Sequence, residues 1–244
     1  MDTSGHARSF GAAAGQYARA RPGYPADAVD WLVPPAARRV LDLGAGTGKF
    51  TAALAARALD VVAVEPSERM LAELTAALPG VPAHRGTAEA TGLPDASVDA
   101  VVVAQAWHWV DPARAVGEVA RVLRPRGTLG LVWNVRDDSV PWVREVWALA
   151  QRGVEQEMQV EDPVVGAPFG PLERFVTGFE HVTDRAGVLD LIASRSYVIV
   201  LPEAERTALL GEVASVLDTH PDLRGRTELR LPYRTWCVRT RLEG

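Results

Sequence analysis

The stretch "VLDLGAGTGKF", Val40–Phe50, decides how the rest of the chain is read. Val40–Leu43 is a short apolar run that ends in glycine, which predicts a buried strand. From Thr47 to about Ala58, Phe50, Leu54 and Ala58 fall at spacings of four, which predicts a helix. A strand that turns through glycines into a helix suits three kinds of nucleotide site. A phosphate-binding P-loop needs GxxxxGK followed by Ser or Thr. Gly48-Lys49 is present, but Leu43 sits where the first glycine must be, and Phe50 replaces the hydroxyl that would hold magnesium. A dinucleotide fingerprint needs GxGxxG. Here Gly44, Gly46 and Gly48 are spaced GxGxG, and Lys49 stands where the third glycine belongs. A nucleoside site of another kind fits the spacing better.

Outward from this stretch, strands and helices alternate. "DVVAVE" (Asp60–Glu65) predicts a second buried strand, and Ser67 is placed to cap the helix "ERMLAELTAAL". Val81–Ala88 allows a short third strand and Ser97–Gln105 a fourth. Asp111-Pro112 is a helix start, with Asp as N-cap and Pro at the first helical position; this helix runs to about Leu123. "TLGLVW" (Thr128–Trp133) is a fifth strand. Such units predict a parallel sheet covered on both faces. Farther on, Pro141–Met158 reads as an amphipathic helix and Val160–Pro171 as a loop. Arg174–Thr183 and Glu228–Thr240 suit two more strands, with helical stretches near Gly187–Ala193 and Glu203–Leu217 between them.

The composition bounds the function. A chain of 244 residues with 48% hydrophobic content suits one large domain, or one with an elaboration. A net charge of -5 disfavours a nucleic-acid partner. Cys237 is the only cysteine, so no internal disulfide and no cysteine metal cluster can form. His6, His84, His181 and His220 lack metal-ligand spacing, and no metal is expected. No run of about 18 apolar residues exists, and Met1–Gly15 lacks the apolar stretch of a signal peptide, so a cytoplasmic chain without a membrane span is expected.

Four features in register then narrow the glycine loop. An acidic residue, Asp42, precedes GxGxG, and Glu65 ends the second strand. Gly86–Asp111, "GTAEATGLPDASVDAVVVAQAWHWVD", spans the third and fourth strands. "VLRPRGTLGLVW" (Val122–Trp133) carries the turn before the fifth, with Arg126 in place of a glycine. Together these resemble the class I S-adenosylmethionine-dependent methyltransferases, over about Leu41 to Trp133. The resemblance implies an α/β, Rossmann-like fold: a mostly parallel seven-stranded sheet, an antiparallel last strand, and helices on both faces. It implies S-adenosylmethionine as cofactor, with S-adenosylhomocysteine as product.

The resemblance also distributes roles. Asp42, Gly44, Ala45, Gly46, Thr47 and Gly48 would form the cofactor loop, where glycines let the backbone approach closely. Glu65 would accept the two ribose hydroxyls. Pro66, Ser67 and Met70 would lie beside the adenine, with Thr87, Ala88 and Glu89 at its other edge; Gln105 and Ala106 would complete the cofactor contacts. "YARARPGYP" (Tyr17–Pro25) and "AWHWVD" (Ala106–Asp111) resemble the trans-aconitate methyltransferase-like subgroup. Tyr17 is then expected as a lid and Arg21 as a partner of the cofactor carboxylate; alternatively Pro22, Tyr24 and Pro25 pin the segment to the sheet.

"QAWHWVD" follows the fourth strand, where these enzymes bring cofactor and acceptor together. Trp107 and Trp109 would wall the acceptor site, and Trp133 would line it. Trp142, Trp147 and Phe169 are further candidates, as packed core or as wall. His108 is the candidate general base for a phenol or alcohol, because its ordinary pKa is near neutral; a carboxylate acceptor needs no base. Asn134, Asp137 and Asp138 bear a faint similarity to metal-dependent catechol-type enzymes. The whole is expected as a single domain, 1–244, with a lid over 1–36, a cofactor core over 37–135, and an acceptor roof with the last two strands over 136–244. Two functional classes follow: methyl transfer to an oxygen of a small-molecule acceptor, or binding of S-adenosylmethionine or its product without transfer, as a sensor or scaffold. The fourth strand lacks the Asn/Asp-Pro-Pro-aromatic signature of enzymes that grip a base amino group.

Overall fold

The computed structural model describes residues 21–152 and 163–243. Seven strands form one sheet: β1 (Arg39–Leu43), β2 (Asp60–Glu65), β3 (Ala83–Arg85), β4 (Val98–Ala104), β5 (Leu123–Arg136), β6 (Glu173–Thr183) and β7 (Leu229–Arg241). Their order is β3-β2-β1-β4-β5-β7-β6; six run parallel and the last is antiparallel. The fold is Rossmann-like. β1 pairs with β2 from Arg39↔Asp60 to Leu43↔Val64, and with β4 from Val40↔Ala100 to Asp42↔Val102. The chain therefore steps outward in opposite directions from β1 and β4. In open α/β sheets such a reversal leaves a crevice at the carboxyl ends of the strands, where ligands bind.

The helices are α1 (Ala26–Leu32), α2 (Lys49–Ala55), α3 (Glu68–Ala77), α4 (Pro112–Val122), α5 (Pro141–Ala150), α6 (Arg185–Ala193), α7 (Ser196–Ile199) and α8 (Glu203–Thr219). Their starts follow local chemistry. The Ser67 hydroxyl accepts from the Met70 amide at the head of α3. Asp111 accepts from the Ala113 amide at the head of α4, with Pro112 first in the helix. Among the described residues no helix is long and apolar enough to cross a membrane.

Two compact units share the chain. Among the described residues, one contains 23–134, 163–177 and 235–243; the other contains 21–22, 135–152 and 178–234. The first packs Ala28, Val29 and Leu32 of α1 with Val40, Phe50, Leu54, Ala100, Val102, Val132 and Cys237. The second packs Trp142, Val143, Val146 and Trp147 of α5 with Val188, Leu191, Ile192, Val213, Leu231 and Tyr233.

α1 corrects the expected extent of the lid. No element is predicted before β1, yet this helix buries three side chains completely, so residues 26–32 are core. The Tyr24 ring meets Phe50 edge-on at 4.9 Å, and the Gly23 carbonyl accepts from Asn134 Nδ2 at 2.8 Å. Tyr17 and the rest of the expected lid before Arg21 lie outside the described residues. β5 is longer than the predicted Thr128–Trp133 and takes in the Arg124–Gly127 turn, where Arg126 has φ +65°. α2 starts at Lys49, two residues later than predicted, because Gly48 is left-handed at its N-cap.

Candidate functional site

The glycine loop leaves β1 and is tied at once to β2: the Gly44 and Ala45 amides both donate to the Val64 carbonyl, at 2.8 and 3.1 Å. Gly44, Gly46 and Gly48 have φ of +71°, +58° and +88°, a region that strains other residues. Space matters as well. A Cβ on Gly44 would sit 2.9 Å from the Ala106 Cβ, and one on Gly48 would sit 3.0 Å from the Leu74 Cγ. Gly46 meets nothing nearer than the Met70 sulfur at 4.0 Å, so its backbone faces open room.

Two buried acids flank this loop. Glu65 is 5% exposed; its Oε2 accepts from the Gly46 amide and its Oε1 from the Ser67 amide, both at 2.9 Å. Burial raises its pKa, opposed by those two amides. Each oxygen keeps a second lone pair. Asp42 is fully buried, and its Oδ2 accepts from the Thr51 hydroxyl at 2.6 Å. Burial pushes its pKa up to about 7, opposed by the Thr51 bond and assisted by the charge of Glu65. Asp42 Oδ1 and Thr47 Oγ1 are buried without a hydrogen-bond partner. Buried polar atoms without partners are uncommon and call for an explanation. An open-backed glycine loop with acceptors beside it is a cradle that suits a cationic nucleoside.

The other residues expected at the cofactor lie at the same strand ends. Ala45, Met70 and Ala88 are buried. Thr87 and Ala90 bond to each other's backbone, which turns the segment after β3. Glu89 Oε1 accepts from the Asp111 amide at 3.0 Å, so its carboxylate also steadies the head of α4. Pro66 is exposed beside the buried end of β2. Gln105 ends β4 at φ +59°, held by its amide on the Val132 carbonyl and by its Nε2 on the Asn134 carbonyl. A left-handed conformation at a non-glycine residue is uncommon and is held here from two sides.

Trp107–Trp109 forms a single 3-10 turn. Trp107 is 4% exposed, and its indole nitrogen donates to the Val164 carbonyl at 3.3 Å. His108 is exposed, and its ring lies 4.7 Å from that of Trp109. The surrounding protein nevertheless desolvates the imidazolium and pushes its pKa down to about 4, below the near-neutral value expected from the sequence, which makes it a weaker base. Trp109 is exposed and Trp133 is buried in β5. Trp142 and Trp147 belong to the core of the second unit, and Phe169 is buried.

The three residues that resemble metal-dependent enzymes have protein partners. Asn134 is tied to Gly23 and to the Thr235 hydroxyl, Asp137 to the Ser139 amide and Arg234, and Asp138 to Arg136. Among the described residues no group of three potential metal ligands occurs. Thr51 is a polar part of this framework that the sequence reading missed, and Asn134 is read there only beside a metal. Their partners lie nine or more residues away, and no local pattern marks them.

Known proteins agree with this geometry. Residues 41–131 match the family model described as a methyltransferase domain. An uncharacterized methyltransferase of Mycobacterium tuberculosis is 54% identical over 235 residues, 96% of each chain. The chain belongs to the class I S-adenosylmethionine-dependent methyltransferases. A solved structure from Anaeromyxobacter dehalogenans, a proposed type II methyltransferase, superposes with a TM-score of 0.65 at 30% identity, covering 91% of this chain and 96% of that one. A malonyl-[acyl-carrier protein] O-methyltransferase of Methylococcus capsulatus is 35% identical over 147 residues, 53% of each chain. This methyltransferase takes S-adenosylmethionine as cofactor, and the glycine cradle with its orphaned acceptors fits that group.

Proposed function

We propose that this methyltransferase acts on an oxygen of a small-molecule acceptor, and that the oxygen belongs to a carboxylate. The choice is supported by the place of His108 in the Trp107–Trp109 turn after β4, where desolvation pushes its pKa down to about 4. A phenol or alcohol reaches transfer only by losing its proton, and a phenol ordinarily holds it to about pH 10. Handing that proton to such an imidazole runs uphill, whereas a carboxylic acid is already ionised at neutral pH. The Methylococcus relative, named as an O-methyltransferase, supports oxygen as the acceptor atom over the half of the chain it matches.

S-adenosylmethionine supplies an electrophilic methyl group on a sulfonium, with a neutral thioether as leaving group. The chain's own residues then have three tasks. Gly44–Gly48 admit the cofactor to the backbone, with Asp42 and Thr47 facing it. Glu65 accepts the ribose hydroxyls on its remaining lone pairs. Pro66, Ser67 and Met70 flank one edge of the adenine, and Thr87, Ala88 and Glu89 the other. Gln105 and Ala106 close the cofactor side of β4, Trp107, Trp109 and Trp133 exclude water around the acceptor, and His108 orients it as a neutral hydrogen-bonding group. Alignment and exclusion of water then supply most of the rate, as expected for an in-line displacement without proton transfer. In this reading residues 37–135 hold the cofactor, the chain from 136 onward selects the acceptor, and Tyr17 belongs to a lid.

The test is transfer of labelled methyl from S-adenosylmethionine to matched panels of carboxylic acids and phenols. A base-labile labelled ester is expected from an acid. Label appearing only in base-stable phenyl ethers would overturn the carboxylate assignment.

A further inference from the structure

Between β3 and β4 the chain leaves the sheet and returns, and Thr87–Ala90 form a turn closed by backbone bonds between Thr87 and Ala90 at 3.1 and 3.2 Å. α4 grips this segment at two points. At its head, the Asp111 amide donates to Glu89 Oε1 at 3.0 Å. Near its end, Glu118 Oε1 accepts from the Thr91 amide at 2.8 Å and from the Thr91 hydroxyl at 2.6 Å. Thr91 is 1% exposed, and its hydroxyl accepts in turn from the Leu93 amide at 3.2 Å. Arg121, one turn further along α4, donates from Nε to Glu118 Oε2 at 2.8 Å and from a terminal nitrogen to Oε1 at 2.7 Å; its other terminal nitrogen pairs with Asp95. The Arg121 guanidinium foremost, with both bonds from Thr91, holds the Glu118 carboxyl well below the usual carboxylate range against the effect of burial.

This carboxylate is the fixed point of the segment. Hydrogen bonds to an ionised acceptor are stronger than those between neutral groups, and Glu118 collects four of them on its two oxygens. Its side chain is 12% exposed, so water competes little for them. Thr91 passes the constraint back along the chain. A Cβ on Gly86 would sit 3.0 Å from the Ala90 carbonyl oxygen and 3.1 Å from that of Thr91, so the start of the segment is packed on its own return. Fixing Thr91 therefore fixes Thr87–Ala90 from behind. A segment held in shape beforehand loses less freedom when a ligand arrives. A site built to hydrogen-bond a polar group also rejects an analogue that lacks it, because its own polar groups are then left unpaired.

We infer that Glu118 is a positioning residue for recognition of the adenine: through Thr91 it fixes the Thr87–Ala90 turn, so that the backbone of the turn reads the edge of the base. The inference rests on the reading above that Thr87, Ala88 and Glu89 lie at that edge, and it adds what sets their position. The edge of adenine presents an amino donor beside a ring nitrogen that accepts. Hypoxanthine presents a carbonyl acceptor beside a ring N–H that donates. The two bases are otherwise alike, so the ratio of their affinities reports on this edge alone.

Calorimetric titrations compare S-adenosylhomocysteine with S-inosylhomocysteine, its hypoxanthine counterpart, in the parent and three variants. The parent is expected to prefer the adenine form at least about tenfold, because the hypoxanthine edge leaves the polar groups of the turn mispaired. Glu118→Ala should bring that ratio several-fold closer to unity. Thr91→Val keeps the shape of the side chain, loses the hydroxyl bond, and should show a smaller fall. Glu118→Gln keeps an acceptor for Thr91 while losing the ion pair with Arg121, and should retain most of the ratio. A variant that is only less stable binds both ligands more weakly by the same factor, its folded fraction, and leaves the ratio where it was. Where the parent discriminates, an unchanged ratio in Glu118→Ala, or in Thr91→Val should Glu118→Ala not fold, overturns the role of Glu118 and leaves the placing of the adenine edge standing. A ratio lost as fully in Glu118→Gln as in Glu118→Ala would overturn the route through Thr91. A parent that binds both ligands equally would overturn the placing of the adenine edge, and the inference with it.

Discussion

The two units bury opposite charges. In the first, the polar groups at the strand ends are acidic: Asp42 and Glu65 are both buried, and both carboxyls are raised by burial. In the second, the polar groups beside the aromatic core are basic: Arg136 and Arg195 lie over Trp147, and Tyr233 feels three guanidiniums. Neither charge set is fully answered by protein. Asp42 Oδ1 and Thr47 Oγ1 are orphaned in one, and Arg195 Nε and the Trp147 indole nitrogen in the other. Buried polar groups are normally paired, so both sets stand out. The acidic set suits a cationic sulfonium nucleoside.

The largest expected effect that sharpens this contrast concerns Asp42 in the ligand-free protein. Its carboxyl keeps its proton up to about pH 7 in the folded chain, against 3.8 when unfolded. Between those values the unfolded chain binds fewer protons at this site than the folded one, so stability falls as pH rises through the window. The difference is about three pH units, on the order of 4 kcal/mol at full ionisation. Asp42→Asn has no proton to lose and should lack this part of the slope. Urea unfolding from pH 4.5 to 8 checks it; parallel slopes in parent and variant would show that Asp42 is ionised in the folded state.

A smaller effect is expected at His108. With its pKa pushed down to about 4, the imidazole stays neutral from about pH 5 upward. Turnover on a carboxylic acid should therefore show no inflection near pH 6.5, and His108→Gln should reduce it only a few-fold. A rate that climbs through pH 6.5 in the parent and not in the variant would restore His108 as a general base.

The first unit was largely legible from sequence because its logic is local. Gly44, Gly46 and Gly48 are required by backbone angles within one turn, and Ser67 and Asp111 cap helices a few residues away. The apolar strands around them announce a covered parallel sheet without any tertiary information. Thr51 escaped notice because its partner Asp42 lies across the loop on β1. α1 escaped because it is seven residues long and follows a proline, with no side-chain cap. The second unit was opaque for a stronger version of the same reason. Arg136, Trp147, Arg195 and Tyr233 come from four separate segments, and each alone looks like a surface cation or a core aromatic. Trp147 in particular sits at helical spacing with Val143, Val146 and Ala150, which announces packing and hides the two guanidiniums on its ring. The pKa of His108 was misjudged because desolvation depends on everything packed around the ring, which the triplet Trp107–Trp109 does not reveal.

The assignment of the cofactor to the first unit is tested most directly by one calorimetric comparison: S-adenosylhomocysteine titrated into the parent, Glu65→Ala and Arg195→Gln. Hydrogen bonds to a charged group contribute roughly 1.5–3 kcal/mol each, so losing the ribose bonds of Glu65 should weaken cofactor binding at least about tenfold. Arg195→Gln should bind the cofactor product as the parent does. Cofactor affinity that survives in Glu65→Ala, or that collapses in Arg195→Gln, would contradict the assignment of the acidic unit to the cofactor.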